Sequence, residues 1–419
     1  MEDVIIAVVG GAVAGSEAAA LAVAAGAKVV VIERNARPYG KIEEGLPRWH
    51  GKLREQEYKR INANLDREGI RFVPLTGIGE DISFEGLRRT GFTAVVLATG
   101  AWRDRRLPLD GIDEFLGKGF EYQNPFVQRF NRNEPASIPE GGLVVGGGLA
   151  SIDVVKIMSL ETHAAALRQL GHDVDSETLE HKGIPAWCEK AGVEIPNVRR
   201  PTLVYRRRVR DMSLSPLEAN ADEATREKAA RARQKILDRV VSRYLIQVET
   251  LASPTRTIAE GGRLAGLVFQ RNTIENGRVV GTDDEFEIRS ELTVSSIGSL
   301  PETIDGIPMK GDLYDFIDEE TGALRDRAGV FGLGNTLTGR GNIRHSRKNA
   351  SEVGERLIRD MSSDDFHSAV RAAAQATVES ALKYPAASNA ASVDAFVAER
   401  WNATGYEDYE SWAAAHPPS

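Results

Sequence analysis

Val4-Ile5-Ile6-Ala7-Val8-Val9-Gly10-Gly11-Ala12-Val13-Ala14-Gly15 opens a stretch that runs to Glu33 and decides the fold. Val4 to Val9 form an unbroken apolar run, the pattern of a strand buried on both faces. An Ala-rich segment from Ser16 to about Ala25 reads as helix, Gly26 closes it, and Lys28-Val29-Val30-Val31-Ile32 reads as a second buried strand. Strand, glycine turn, helix and strand make a βαβ unit. Within the turn, Gly10, Ala12 and Gly15 occupy the GxGxxG positions, and Glu33, followed by Arg34, ends the next strand where a ribose-binding acid belongs. Such a turn lets backbone approach a pyrophosphate and aims a helix N-terminus at its charge. Ala12 departs from the glycine rule.

The chain continues in the same idiom. Pro38, Gly40, Gly45 and Pro47 punctuate a polar region, and Lys52 to Glu68 reads as helix. Arg71 to Pro74 is a short strand, and Thr93 to Ala98 an apolar one that runs into Thr99-Gly100. A second βαβ start follows at Gly142 to Val145, with Gly146-Gly147-Gly148 as its turn and a helix through Leu149, Ala150 and Ser151. Ser151 stands where a third glycine would be. An irregular, partly helical insertion is expected over 159–198, after which Leu203-Val204-Tyr205 resumes the sheet. That strand ends in Arg206-Arg207-Arg208 with no acid, and fork-shaped cationic donors suit the 2′-phosphate of NADP.

Leu217 to Tyr244 reads as a long charged helix with a solvated face. Leu245 to Glu291 reads as β structure, with turns at Glu260-Gly261-Gly262 and Glu275-Asn276-Gly277. Gly329 to Gly334 reads as a final buried strand, Asn342 to Asp360 as the helix after it, and the tail beyond Met361 as helical.

Composition narrows the function classes. A net charge of −8 over 419 residues argues against a general nucleic-acid binder. The single cysteine, Cys188, can form neither a CxxC pair nor an iron–sulfur ligand set, and no metal site is assigned. Met1-Glu2-Asp3 leads straight into a strand without a basic n-region, and no stretch is apolar enough to span a bilayer, so a soluble, cytoplasmic protein is expected.

With two glycine turns in one chain, the residues resemble the two-dinucleotide-binding-domain flavoproteins, in the branches of adrenodoxin-reductase-type ferredoxin–NADP reductases and glutamate synthase small subunits. The resemblance covers about Val4 to Leu357. It implies an α/β fold of two Rossmann-like domains, the NADPH domain inserted into a discontinuous FAD domain: 1–107 and 301–360 for FAD, 108–300 for NADPH, and 361–419 a helical C-terminal extension. By the same resemblance Leu46 and Gly100 belong to the FAD site. Gly334-Asn335 supplies its second motif, with Asn335 where Asp or Trp is usual. Gly341, Asn342 and Ile343 place a helix N-terminus at the flavin. Gly146, Gly148, Leu149, Ala150 and Ser151 would hold NADP(H), with Arg206, Arg207 and Glu218 around its 2′-phosphate. His50 and Asp153 match a pair near flavin and nicotinamide that manages protons.

Without a CxxC or a cysteine cluster, electrons must leave to a separate acceptor. The resemblance favours a ferredoxin or an iron–sulfur partner subunit, and a homodimer or a place in a hetero-complex stays open. Arg103, Arg105, Arg106, Arg206 to Arg208, Arg210, Arg344, Arg347 and Lys348 are candidate docking charges. Two other readings stand beside this one: a flavin reductase of a small organic substrate, and a non-catalytic nucleotide-binding subunit.

Overall fold

The computed structural model describes residues 4–134, 138–215, 217, 221–317, 321–338 and 363–418. Two parallel sheets organise it. The first runs in the order Val330–Gly332, Ala94–Leu97, Ile5–Val9, Lys28–Ile32, Ile70–Val73. Ile6 lies opposite both Val29 and Ala94, and all five residues of Ile5–Val9 are buried, as the continuous apolar run requires. The second sheet repeats the plan with Phe120–Tyr122, Thr293–Ser296, Leu143–Gly146, Thr202–Tyr205 and Gln247–Thr250.

The chain therefore leaves the first sheet after Leu97, builds the second, and returns at Val330 to pair with Ala94–Leu97. On the way out and back it forms two short strands, Arg103–Asp104 and Ser299–Leu300, which pair antiparallel. A three-stranded antiparallel sheet, Ala252–Glu260, Arg263–Glu275 and Arg278–Arg289, projects from the second sheet. Its two turns fall at Gly261-Gly262 and Asn276-Gly277, where the sequence puts residues that tolerate positive φ.

Two elements differ from the sequence reading. The helix after the second glycine turn runs unbroken from Leu149 to Gln169, so the segment expected to turn irregular at Ser159 does so only near Gly171. Nothing between Ala150 and Gln169 breaks a helix, and thirteen of its residues are buried. Two short helices, Ser176–Lys182 and Ile184–Ala191, follow. The charged helix begins at Glu223 rather than Leu217, capped by the Asp222 carboxylate, which accepts from Thr225 N. The helix expected over Asn342 to Asp360 lies outside the described residues.

The C-terminal segment is core, not appendage. Helix Ser363–Leu382 packs Ala374, Val378 and Ala381 against Ala18, Ala19 and Ala22 of helix Val13–Ala24, where small side chains allow close approach. Beyond it, Trp401 Nε1 donates to the Phe72 carbonyl, Trp412 Nε1 to the Ala36 carbonyl and Tyr409 Oη to Asn62 Oδ1, each at 2.8 Å. Helix Ala390–Thr404 and these aromatics cover the outermost strand, Ile70–Val73, which would otherwise be a bare sheet edge. No helix among the described residues is long and apolar enough to cross a membrane.

Trp412→Ala should therefore cost about 3 kcal/mol or more of stability, as large-to-small core changes do. Urea unfolding measures it, and a loss below about 1 kcal/mol would show that the aromatic tail is not part of the core.

Candidate functional site

At the first glycine turn, sterics fix two residues. Gly10 has φ +98°, and a Cβ there would sit 2.6 Å from the Ala98 carbonyl oxygen. A Cβ on Gly15 would lie 1.8 Å from the Gly10 carbonyl oxygen, so the helix comes as close to the strand end as backbone allows. Ala12 is the N-cap of helix Val13–Ala24 in extended conformation, and no side chain caps that terminus. Its first-turn amides remain available to an anion. The methyl of Ala12 faces Gly40, where an added Cβ would lie only 3.0 Å away, so the missing glycine at 12 is matched by a glycine across the crevice.

Glu33 is buried beside this turn. Its Oε2 accepts from Gly11 N at 2.8 Å and its Oε1 from Asn35 N at 2.9 Å. Burial pushes its carboxyl above the ordinary value, against the hydrogen bonds from Asn35 and Gly11. Arg34 turns outward to Glu302, 2.7 Å away. Thr336 Oγ1 accepts from Gly100 N at 2.7 Å, and a Cβ on Gly334 would lie 3.1 Å from that of Ala14. The strand end at Gly100, the Gly334-Asn335 turn and the first glycine turn thus converge on one crevice. Leu46 is half-buried on the segment facing it, and its carbonyl accepts from Asn131 Nδ2 at 2.8 Å. Gly341, Asn342 and Ile343 lie outside the described residues.

The second turn reaches the same shape by another route. Gly148 is the N-cap of the Leu149–Gln169 helix, with Leu149 and Ala150 in its first turn. Ser151 Oγ accepts from Gly148 N at 3.3 Å and donates to the Ser296 carbonyl at 2.9 Å. A Cβ on Gly146 would come within 2.3 Å of both Ser151 Oγ and the Ser296 oxygen. Here the glycine on the strand yields space to a serine on the helix. The ring of Tyr205 lies on Gly147, which brings the arginines that follow beside the turn.

Of these arginines, Arg206 is exposed and its guanidinium has no hydrogen bond or ion pair among the described residues. Arg207 is held by the Gly277 carbonyl at 3.0 Å and lies 3.7 Å from Asp211. Arg208 is committed to Asp211 at 2.9 Å. Glu218 lies outside the described residues. The other candidate docking charges are largely neutralised: Arg105 pairs with Asp312, Arg106 with Asp113 and Arg210 with Glu227. Arg344, Arg347 and Lys348 lie outside the described residues.

The two turn units meet through a short segment of the first. His50 Nε2 stands 3.7 Å from Asp153 Oδ1, both half-buried. Arg48 anchors the approach, donating to Glu177 at 2.9 Å and to the Phe130 carbonyl, with its guanidinium over the Phe130 ring. Behind Asp153 lies a group the sequence reading missed. Lys156, 3% exposed, bonds Glu180 at 2.9 Å and stands 3.7 Å from Asp153. Burial would raise the pKa of Asp153, but His50 and the Lys156 ammonium together hold it below the ordinary value. Lys156 was legible as the i+3 neighbour of Asp153 on one helix; Glu180, brought in by Ser176–Lys182, carried no signal.

Lys41 is a second missed residue. Its Nζ donates to Asn124 Oδ1 at 3.2 Å and Ser299 Oγ at 3.1 Å, near the Trp102 ring. It ties the segment after the first turn to strand Ser299–Leu300 and to helix Gln123–Asn131. Burial lowers its pKa to about 8, opposed by Asp104, whose own carboxyl burial raises to about 6. The folded value lies below the ordinary one, so the ammonium destabilises at neutral pH, and that cost disappears as pH rises from about 8 to 10.5. Competitive labelling of Lys41 against pH should give a midpoint near 8. A midpoint like that of an exposed lysine would show the amine to be solvated.

Both turns have the features of a dinucleotide pyrophosphate site: a close strand–helix approach, and at the first an uncapped helix start with a buried acid. The comparisons with known proteins agree. The profile of the pyridine nucleotide-disulphide oxidoreductase family matches residues 6–304. The chain is 24% identical over 213 residues to the putative oxidoreductase YgfK of Escherichia coli K12, covering 49% of this chain and 16% of that protein. It is 33% identical over 162 residues to the glutamate synthase [NADPH] small chain of Mycobacterium tuberculosis, covering 35% of this chain and 32% of that one. The matched segments thus span well under half of these relatives' own length. Among solved structures, Mycobacterium tuberculosis FprA in complex with NADPH superposes with a TM-score of 0.68 at 19% identity, over 96% of this chain and 91% of that one, a likeness of fold. The chain belongs to the pyridine nucleotide-disulphide oxidoreductase family.

Proposed function

We propose that the chain is an NADPH-dependent FAD oxidoreductase that passes electrons to a ferredoxin or an iron–sulfur partner subunit, in the cytoplasm. The observation that carries this reading is the meeting of two glycine-turn units at His50 and Asp153. FAD and NADP(H) are its two nucleotides. The family name includes disulphide chemistry, but this chain has one cysteine and that one is buried, so electrons have no dithiol to enter. The name of the glutamate synthase [NADPH] small chain supports NADPH as donor and a partner subunit as acceptor.

On this reading residues 1–107 and 301–360 hold FAD, 108–300 hold NADPH, and 361–419 brace the FAD part. The return of Val330–Gly332 to the first sheet supports that division. When bound, FAD would supply hydride acceptance and one-electron release. The residues of the chain do the rest. Gly10, Ala12 and Gly15 present backbone amides to the FAD pyrophosphate, and Glu33 accepts hydroxyls of its ribose. Leu46, Gly100, Gly334 and Asn335 belong to the same crevice, and the resemblance assigns Arg34, Gly341, Asn342 and Ile343 to the FAD site as well. Gly146, Gly148, Leu149, Ala150 and Ser151 form the NADPH turn, with Arg206, Arg207 and Glu218 at the 2′-phosphate. His50 and Asp153 hold and move a proton beside the reacting rings.

Two experiments test this. The purified protein should be yellow, and NADPH should bleach it anaerobically faster than NADH does; a colourless protein that binds no flavin would end the reading. Because Arg206 is uncommitted and Arg207 is not, Arg206→Ala should raise the KM for NADPH roughly 10- to 100-fold, the worth of a charge-assisted contact. The KM for NADH should barely move, and Arg207→Ala should have the smaller effect. Equal losses with both cofactors would remove Arg206 from the 2′-phosphate site.

A further inference from the structure

A hydride carries two electrons and one proton. When acceptors take the electrons singly, that proton stays behind and must leave the crevice in every turnover. We propose that His50, Asp153, Lys156, Glu180 and His181 form its exit path, with His181 as the outlet. The inference rests on the reading above, that electrons leave singly and that the His50–Asp153 pair faces the reacting rings.

The groups follow one another at close range. His50 Nε2 to Asp153 Oδ1 is 3.7 Å, Asp153 Oδ1 to Lys156 Nζ is 3.7 Å, Lys156 Nζ to Glu180 Oε1 is 2.9 Å, and Glu180 Oε2 to His181 Nδ1 is 3.5 Å. The two separations of 3.7 Å exceed hydrogen-bond length, so transfer across each requires a small side-chain rotation. Burial is deepest at its middle. Lys156 and Glu180 are buried at 3% and 7% exposure, whereas the His181 side chain is 65% exposed. The Trp49 and Tyr244 rings flank the ammonium, each centroid 4.8 Å from Nζ. Tyr244 Oη donates to Glu180 Oε1 at 3.0 Å and fixes its rotamer.

The three buried charges hold one another ionised. A buried ion pair adds little to folding, because desolvation offsets the attraction. Here two carboxylates share one ammonium. Burial opposes ionisation of all three, yet their mutual attraction keeps Asp153 and Glu180 below, and Lys156 above, the ordinary values. One negative charge is left over when His50 is neutral, and it draws in one proton. In the transfer a proton leaves His50 Nε2 and forms an O–H bond on Asp153. The Lys156 ammonium gives an N–H proton to Glu180 and takes the one from Asp153. Glu180 then passes its proton to His181 Nδ1 or to water. One proton enters, one leaves, and no charge accumulates.

The test uses the flavin-loaded protein and ferricyanide as the one-electron acceptor. Stopped-flow traces follow bleaching by NADPH and the return of colour with ferricyanide, in H2O and D2O, for Glu180→Gln, Lys156→Arg and Asp153→Asn. Glu180→Gln should slow the ferricyanide phase about tenfold or more, well beyond any slowing of bleaching, with a larger D2O effect and partial recovery in imidazole buffer. Lys156→Arg is the decisive variant. It keeps the charge and the fold, read from an unchanged Tm, but a guanidinium cannot give up its proton. It should therefore be slow, whereas a merely structural lysine would be rescued by arginine. Wild-type ferricyanide phases in Glu180→Gln and Lys156→Arg, with a slow one in Asp153→Asn, would overturn the path and leave the pair standing. A wild-type phase in Asp153→Asn as well would overturn the pair and the path together.

Discussion

The contact between Gly15 and the Gly10 carbonyl oxygen is the constraint from which the rest follows. A side-chain carbon at 15 would stand 1.8 Å from that oxygen, so the helix is seated on the strand end with nothing between them. This closeness points the uncapped start of Val13–Ala24 at the space above Ile5–Val9 and sets Glu33, at the end of the neighbouring strand, on its rim. The second sheet meets the same requirement with a different pair, Gly146 and Ser151, and adds a hydroxyl that pins the helix to Ser296. One geometric demand has two chemical solutions in this chain.

That difference explains what the sequence could and could not say. Continuous apolar runs and glycine spacing are local signals, and they marked both central strands, both turns and the hairpin turns of the antiparallel sheet. Ala12 looked like a defect because the compensating residue, Gly40, lies far along the chain. Arg206, Arg207 and Arg208 were indistinguishable as letters; only the positions of Asp211 and Gly277 separate the uncommitted one from the held ones. Lys156 and Glu180 were invisible as a pair because a helix reading gives the first a neighbour at Asp153 but no hint of the second. The helix through Ser159 was missed for a simpler reason, since the reading of the residues began an irregular insertion where no breaker residue exists.

The arrangement around His50 shows how a polar segment becomes a fixed part of the site. Residues 41–50 follow the first turn, yet their partners belong to the second lobe. Asn131 gathers the Glu43, Glu44 and Leu46 carbonyls, Arg48 is gripped by Glu177 and Phe130, and Lys41 reaches Asn124 and Ser299. The interface combines hydrogen bonds to backbone and charged forks with one apolar anchor, Trp49, buried against Phe130. Such contacts specify one orientation of the lobes more than they stabilise it, which suits a site whose two halves must face each other.

The paired strands Arg103–Asp104 and Ser299–Leu300 place the entry and exit of the second lobe about 5 Å apart, one strand spacing. A lobe whose ends are neighbours is a cassette. It can be lengthened, shortened or exchanged at that ribbon without altering the register of the outer sheet, because the outer strands see only the distance between the two crossings. The geometry that lets this chain fold as one body is thus the same geometry that leaves its interior free to diverge.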